Sequence, residues 1–173
     1  TMGYPFFVPL GTRITPVLIK GKLPFIDTLV RNTIFKQFVG GESLEETKTI
    51  GDILGNYGVQ VILDYGVEGK EGEANFDIAT DEFIRVIEYA ATQKNIPFIS
   101  VKVTGIARFE LLASLDEAPR LRSGIHDHEA EIGEWERVKD RMYAICAVAA
   151  EKNIGVLIDA EETWIQDPVD RLT

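Results

Sequence analysis

Three ionisable side chains stand at the ends of three apolar segments, and this placement is the first sign of chemistry. Asp64 closes "VQVILD", Lys102 lies near the end of "FISVKV", and Asp159 closes "GVLID". If the three segments are neighbouring strands, alternation sends the three side chains to the same face of the sheet. A lysine in such a place needs anions nearby, because an unpaired buried charge is costly. The pattern predicts a site for an anionic ligand; the alternative is a structural ion pair.

The segments that carry these residues alternate with helical patterns. Apolar spacing predicts helices over 26–38, 76–94, 107–115 and 131–153, and strands over 59–64, 98–103 and 155–159. A capping box of Ser43 and Glu46 opens a further helix that runs to about Tyr57 and stops at Gly58. Strands of continuous apolar character that alternate with helices are typical of a parallel sheet in an α/β protein.

Two parallel architectures fit this alternation: a doubly wound sheet and part of a (β/α)8 barrel. No glycine-rich phosphate loop follows a strand, which weakens a nucleotide-binding doubly wound fold. Barrel active sites lie at the carboxyl ends of strands, where the three ionisable residues are. A full barrel needs roughly 250 residues, whereas this chain has 173 and three clear strands, or four with "FVGG". We predict half of a TIM-like (β/α)8 barrel over 26–173, after an N-terminal segment over 1–25 that is either an arm packed on the domain or a partner surface.

Composition limits the class of partner and the compartment. The formal net charge is -10, which argues against nucleic acid as a partner. The single cysteine, Cys146, lies in an apolar helical pattern and reads as a packed thiol, so a reducing compartment, the cytoplasm, is expected. The apolar N-terminal "GYPFFVPLG" is too short and too interrupted by proline to span a bilayer. The "HDHE" at 126–129 predicts a solvated loop more than a metal site, since structural zinc sites use longer spacings.

Three blocks of the sequence together resemble the proline dehydrogenases. They are "FKQFVGGES" with "VILDYGVEGKEGE", then "PFISVKVTGIARFELL", then "GVLIDAEETWIQDPVDRL". Their order, and their places at successive strand ends, make the resemblance specific, and it covers nearly the whole chain. It is nearest to the bacterial single-function enzymes. The resemblance implies a distorted (β/α)8 barrel that holds FAD and oxidises L-proline to 1-pyrroline-5-carboxylate in proline catabolism.

The resemblance also implies roles for particular residues. Lys102, in "VKVT", is similar to the family lysine that helps to hold the proline carboxylate. Asp159, in "DAEE", matches an aspartate near substrate and flavin, and Ala160 lies beside the flavin. Glu68 is similar to a family gate residue that pairs with an arginine over the bound substrate, and Asp64 is a weaker correspondence on the substrate side. A site for an amino-acid carboxylate does require fixed cations.

The sequence contains only part of the family pattern. Family members continue with a strand that gives a glutamine to the flavin, an arginine-bearing strand and a helix with an arginine pair, and none of these segments is in the sequence. The resemblance therefore implies the N-terminal half of the barrel, over 26–173, with an N-terminal helical arm over 1–25. We expect a fragment of a longer protein that is inactive alone and binds FAD weakly or not at all. An open half-barrel favours self-association. For the parent protein we expect a quinone or another electron acceptor. Peripheral contact with the inner membrane is a second expectation for it.

The sequence is also compatible with two other functions. A lysine on a central strand also fits a barrel lyase in which Lys102 forms a Schiff base with a carbonyl substrate. Alternatively, the chain as it stands is a non-catalytic half-barrel. Trapping with borohydride distinguishes the lyase, because only a Schiff base on Lys102 is reduced to a stable adduct.

Overall fold

A computed structural model of the chain describes residues 28, 32, 39–66, 70–117 and 128–173. The predicted arm over 1–25 lies outside the described residues, and so does the predicted helix over 26–38 apart from residues 28 and 32. The chain divides into two compact units, Thr1–Ile50 and Gly51–Thr173. The sheet and all the strand-end residues belong to the second unit.

Helix α1 spans Leu44–Asn56 and begins as the sequence predicts. The Ser43 hydroxyl oxygen accepts a hydrogen bond of 3.2 Å from the backbone N–H of Glu46. The Glu46 carboxylate in turn accepts a 3.0 Å hydrogen bond from the N–H of Glu42. The helix is followed by Gly58, whose φ of 72° lies in the left-handed region that glycine adopts without strain. The predicted start and stop of this helix are therefore confirmed.

In the part of the chain that the structure describes, three strands form one parallel sheet in the order β1-β2-β3. They span Ile62–Asp64, Phe98–Val101 and Gly155–Ile158. Each strand is shorter than predicted. Strand β2 ends at Val101, two residues before its predicted end, because the chain turns into a 3₁₀ helix at Val103–Gly105. Residues 39–41 form no strand, so counting "FVGG" as a fourth strand is wrong.

Four further helices follow in the described residues. They are α2 at Glu73–Ala91, α3 at Phe109–Glu117, α4 at His128–Lys152 and α5 at Gln166–Asp170. A 3₁₀ turn, Thr163–Ile165, precedes α5. Both long helices begin three residues earlier than predicted, and His128, expected in a loop, is the first residue of α4.

The core lies between the sheet and the helix pair α2 and α4, which contact each other and contact β2 and β3 respectively. Ile99 and Val101 of β2 are fully buried against this layer. Alternate residues point the other way, and Ile62, Phe98 and Leu157 are 52%, 41% and 42% exposed. In the described part of the chain, helices therefore cover one face of the sheet and leave the other open. The parallel α/β class is confirmed.

An ionic cluster joins α2 to α4. The Arg141 guanidinium is only 7% exposed, donates to Asp77 at 2.8 Å and also bonds the carboxylate of Glu73. Arg137 donates two hydrogen bonds to the same carboxylate, at 2.9 and 3.0 Å. Arg141 further donates to the carbonyl of Ile106 at 3.2 Å. The cluster thereby fixes both helices and the loop that follows β2.

Candidate functional site

The side chains of Lys102 and Asp159 meet at the carboxyl end of the sheet. Lys102 Nζ lies 3.2 Å from Asp159 Oδ2, and the two side chains are 21% and 43% exposed. The pair is therefore desolvated in part but open to a ligand from solvent. An ion pair of this kind places one fixed cation and one fixed anion where barrel enzymes place their active sites.

The sheet register explains why these two residues meet. Val101 is paired with Ile158, so Lys102 and Asp159 are the next residues on adjacent parallel strands. The N–H of Asp159 donates to the carbonyl of Val101 at 3.0 Å, which continues the strand register beyond the ends of β2 and β3. Lys102 itself has extended backbone angles, φ -94° and ψ 124°, so alternation still applies to it. The anion that the sequence requires beside Lys102 is thus present.

Asp64 lies on the same face of the sheet, closer to the amino ends of the strands. Its register partner on β2 is Ser100, which in turn is level with Leu157 on β3. The Lys102–Asp159 pair is two residues further along the strands, roughly 7 Å. Asp64 is exposed on the open face. The geometry therefore brings Lys102 and Asp159 together and leaves Asp64 at the next level down.

Of the remaining two predicted site residues, the structure describes only Ala160. Glu68 lies outside the described residues. Ala160 follows Asp159 directly and is exposed, so it offers an uncrowded surface beside the carboxylate. The roles of all five predicted residues toward substrate and cofactor stay predictions at this point.

The sequence did not predict one pair of contacting residues at the site. The carboxylate of Glu161 accepts a 3.1 Å hydrogen bond from the N–H of Thr104 and a 2.5 Å hydrogen bond from its hydroxyl. Thr104 is two residues beyond Lys102, and Glu161 is two residues beyond Asp159. The equal offset from the two charged residues was a usable signal, but it requires that the two strands be recognised as adjacent and in register.

Among the described residues, the pKa of Glu73 in the α2–α4 ionic cluster is strongly shifted. Hydrogen bonds from Arg137, with a further contribution from Arg141, lower the pKa of Glu73 to about 2 against the opposing effect of burial. A bidentate contact of the same type joins Arg108, in the loop before α3, to Glu134 of α4 at 2.8 and 3.1 Å. These guanidinium–carboxylate pairs fix the helices around the strand ends and have their charges satisfied by one another. We read them as structural.

The arrangement can bind an anion beside a carboxylate. The Lys102 ammonium has three donors, so a ligand carboxylate can share it with Asp159. The open apolar face with Phe98 and Leu157 lies below the pair and suits the hydrocarbon part of a small ligand. No helix in the part of the chain that the structure describes is long and apolar enough to span a membrane.

Comparisons with known proteins identify the family of the chain. The family model for proline dehydrogenase matches residues 47–173. The carbapenem antibiotics biosynthesis protein CarD of Pectobacterium carotovorum subsp. carotovorum is 33% identical over 135 residues, which are 78% of this chain and 34% of that protein.

Two mitochondrial relatives are more distant. Proline dehydrogenase 1 of Dictyostelium discoideum is 24% identical over 86% of this chain and 31% of its own length. Proline dehydrogenase 1 of Arabidopsis thaliana is 27% identical over 82% of this chain and 35% of its own length. The chain thus spans about a third of the length of these curated relatives.

Proposed function

The chain belongs to the proline dehydrogenase family, and we propose that it is part of an enzyme that oxidises L-proline to 1-pyrroline-5-carboxylate with FAD as the hydride acceptor. The observation that carries the proposal is the Lys102–Asp159 ion pair at the carboxyl ends of two adjacent parallel strands. The activity is proposed for the longer parent protein, because the chain spans about a third of its relatives. We propose that the chain alone is inactive.

We propose further that residues 26–173 form the first half of a (β/α)8 barrel. Consecutive strands are neighbours in the order β1-β2-β3, as they are in a barrel. The described helices α2 and α4 cover one face of the sheet, and the opposite face remains open. In a doubly wound sheet helices cover both faces, so the one-sided arrangement favours the barrel.

Lys102 supplies the cation that the substrate needs. Proline carries a carboxylate, and the Lys102 ammonium is held at a strand end, 21% exposed, by Asp159 at 3.2 Å. A bound carboxylate gains a charge-assisted hydrogen bond from the ammonium. Asp159 then orients the lysine and balances its charge, and also faces the cationic end of the substrate. In this proposal neither residue acts as a nucleophile.

The residues beyond β3 fit a flavin at one corner of the site. Ala160 is exposed and carries only a methyl group, so a planar ring can approach the backbone beside Asp159. The flavin, when bound, accepts the hydride from the ring carbon next to the proline nitrogen. The protein's contribution is a dry pocket and fixed orientation of the ring. We propose that Asp159 and Ala160 lie against the cofactor.

Two further residues complete the proposed substrate side. Asp64 is exposed on the open face of the sheet, one level below the ion pair, where it can contribute to the polar wall of the pocket. Glu68 comes four residues after Asp64 in the sequence and lies outside the described residues. We propose that Glu68 is a gate residue that pairs with a cation from the remainder of the parent protein.

The setting of the parent enzyme is also proposed. A single cysteine, Cys146, is consistent with a reducing compartment, and we propose the cytoplasm with peripheral contact at the inner membrane. Desolvation raises the pKa of the Cys146 thiol, which supports packing and argues against nucleophilic chemistry. We propose a quinone or another electron acceptor for the reduced flavin.

The ion pair disfavours the Schiff-base lyase. A lysine that attacks a carbonyl must be the neutral amine. Nζ of Lys102 lies in an ion pair with the Asp159 carboxylate at 3.2 Å, and this contact must break before the nitrogen can attack a carbonyl. The pair thus favours a role in carboxylate binding over covalent catalysis.

The experiment that tests the proposal is anaerobic reduction of the FAD-loaded parent by L-proline. We expect the yellow flavin absorbance to bleach, and Lys102→Met to raise the proline concentration needed by one to two orders of magnitude. Lys94→Met, at an exposed lysine after α2, is the matched control and should behave like the wild type. A wild-type flavin that stays oxidised in excess proline would show the proposal to be wrong.

A further inference from the structure

The link between Thr104 and Glu161 joins the two chain segments that leave the strand ends. Glu161 uses both carboxylate oxygens, one on the Thr104 N–H at 3.1 Å and one on its hydroxyl at 2.5 Å. Both residues are partly buried. Hydrogen bonds to an ionised carboxylate are roughly twice as strong as neutral ones, and these two act on a contact between residues 57 apart in the sequence.

The geometry points to Glu161 as a positioning residue for the proposed proline site. Its partner Thr104 lies in the 3₁₀ turn Val103–Gly105, which follows Lys102 without a break. Within that turn the N–H of Gly105 donates to the carbonyl of Lys102 at 3.0 Å. Holding Thr104 therefore fixes the backbone that presents the Lys102 side chain. The inference rests on the proposed function and names a residue that the proposal does not use.

The same link fixes the other half of the ion pair. Asp159 is held on one side by its N–H bond of 3.0 Å to the carbonyl of Val101. On the other side, only Ala160 separates it from Glu161. The two strand ends thus carry two successive cross-links, Lys102 to Asp159 and then Thr104 to Glu161. The second link limits how far the first can spread or shift when a substrate carboxylate enters.

The adjacent acidic residue shows that this is specific to Glu161. Glu162 is exposed and begins the 3₁₀ turn Thr163–Ile165 without a side-chain capping hydrogen bond. The two glutamates are therefore chemically alike and differently engaged. Glu162 offers a matched control for every substitution at Glu161.

The test compares variants in the FAD-loaded parent protein, with rates normalised to bound flavin. Glu161→Ala removes both hydrogen bonds, whereas Glu161→Gln can keep both, since its amide oxygen accepts from the Thr104 N–H and its NH2 donates to the hydroxyl oxygen. Thr104→Val removes the hydroxyl bond, and Thr104→Ser keeps it. Glu162→Ala is the control.

We expect Glu161→Ala to raise KM for L-proline about tenfold or more, because displacement of a positioned group by about 1 Å can cost a hundredfold. Thr104→Val should raise KM by a smaller factor, and Thr104→Ser, Glu161→Gln and Glu162→Ala should stay within about threefold of the wild type. A loss of folded protein lowers the flavin content but leaves KM per flavin unchanged, so KM separates positioning from stability.

A second readout does not depend on turnover. Glu161→Ala should speed hydrogen exchange at the N–H groups of Thr104 and Asp159, and Thr104→Ser should not. Unchanged KM in both Glu161→Ala and Thr104→Val, or an equal rise in Glu162→Ala, contradicts the positioning role. If Glu161→Ala loses its flavin, the contrast between Thr104→Val and Thr104→Ser decides.

The two proposals can fail separately. If the wild-type parent is not reduced by proline, the proposed function is wrong. In that case the hydrogen-exchange contrast still decides whether Glu161 positions the strand ends. If the wild type is reduced and none of the Glu161 or Thr104 variants changes KM, the proposed function stands and the positioning role is wrong.

Discussion

Replacement of Glu73 by glutamine tests the ionic cluster that joins α2 to α4. Hydrogen bonds from Arg137, and further contributions from Arg141, lower the pKa of Glu73 from 4.5 to about 2. At about 1.4 kcal/mol for each tenfold change in proton affinity, this corresponds to an upper bound of roughly 3 kcal/mol in the free energy of unfolding. The Glu73 side chain is 41% exposed, and solvent screening reduces the contribution to about 1–2 kcal/mol.

The sign of the pH dependence follows from the direction of the shift. A carboxyl with a lowered pKa in the folded state stabilises the fold above its unfolded value, here 4.5. That stability is lost as the pH falls from about 4.5 toward 2. Glu73→Gln should therefore unfold at lower urea concentration than the wild type at neutral pH, and the difference should shrink through this acidic window.

The assay is urea unfolding followed by circular dichroism, at several pH values and one fixed protein concentration, since any self-association adds to apparent stability. Glu88→Gln is the matched control, because Glu88 is exposed on the same helix. A difference between Glu73→Gln and the wild type that stays constant from neutral to strongly acidic pH would refute the electrostatic reasoning. An equal effect in Glu88→Gln would refute its assignment to the cluster.

Three further predictions concern the sheet and the site. Gly155→Ala should destabilise the fold by about 1–3 kcal/mol in thermal unfolding, because a Cβ there would lie 2.3 Å from Phe98 Cδ1; unchanged stability would show that the ring moves freely. Asp159→Asn in the FAD-loaded parent should slow flavin reduction by about a hundredfold in stopped-flow measurements, and a wild-type rate would remove Asp159 from the site. The chain alone should retain less than stoichiometric FAD after gel filtration and should associate in light scattering, whereas a stoichiometrically yellow monomer contradicts the half-barrel proposal.

The part of the site that depends on strand ends could be predicted from the sequence. Lys102 and Asp159 follow apolar strands, and parallel strands end at the same edge, so their proximity follows from alternation and order alone. The parallel α/β class follows from the same alternation of elements. Strand lengths could not be predicted, because the 3₁₀ turn at Val103–Gly105 ends β2 while its residues still look like a strand.

Contacts between side chains that are distant in the sequence could not be predicted. The link from Thr104 to Glu161 and the cluster around Arg141 depend on which helix faces and strand ends become neighbours. Local patterns of hydropathy do not contain that information. Arg141 has the spacing of a core position in α4, but only the packed structure shows that the carboxylates of α2 neutralise it.

The most direct test of the central claim is a single anaerobic turnover of the FAD-loaded parent with L-proline. We predict that one 1-pyrroline-5-carboxylate forms for each FAD reduced, and that borohydride traps no covalent adduct on Lys102. A flavin that stays oxidised in excess proline, or a reduced adduct on Lys102, would contradict the proposal that this chain forms part of a proline-oxidising flavoenzyme.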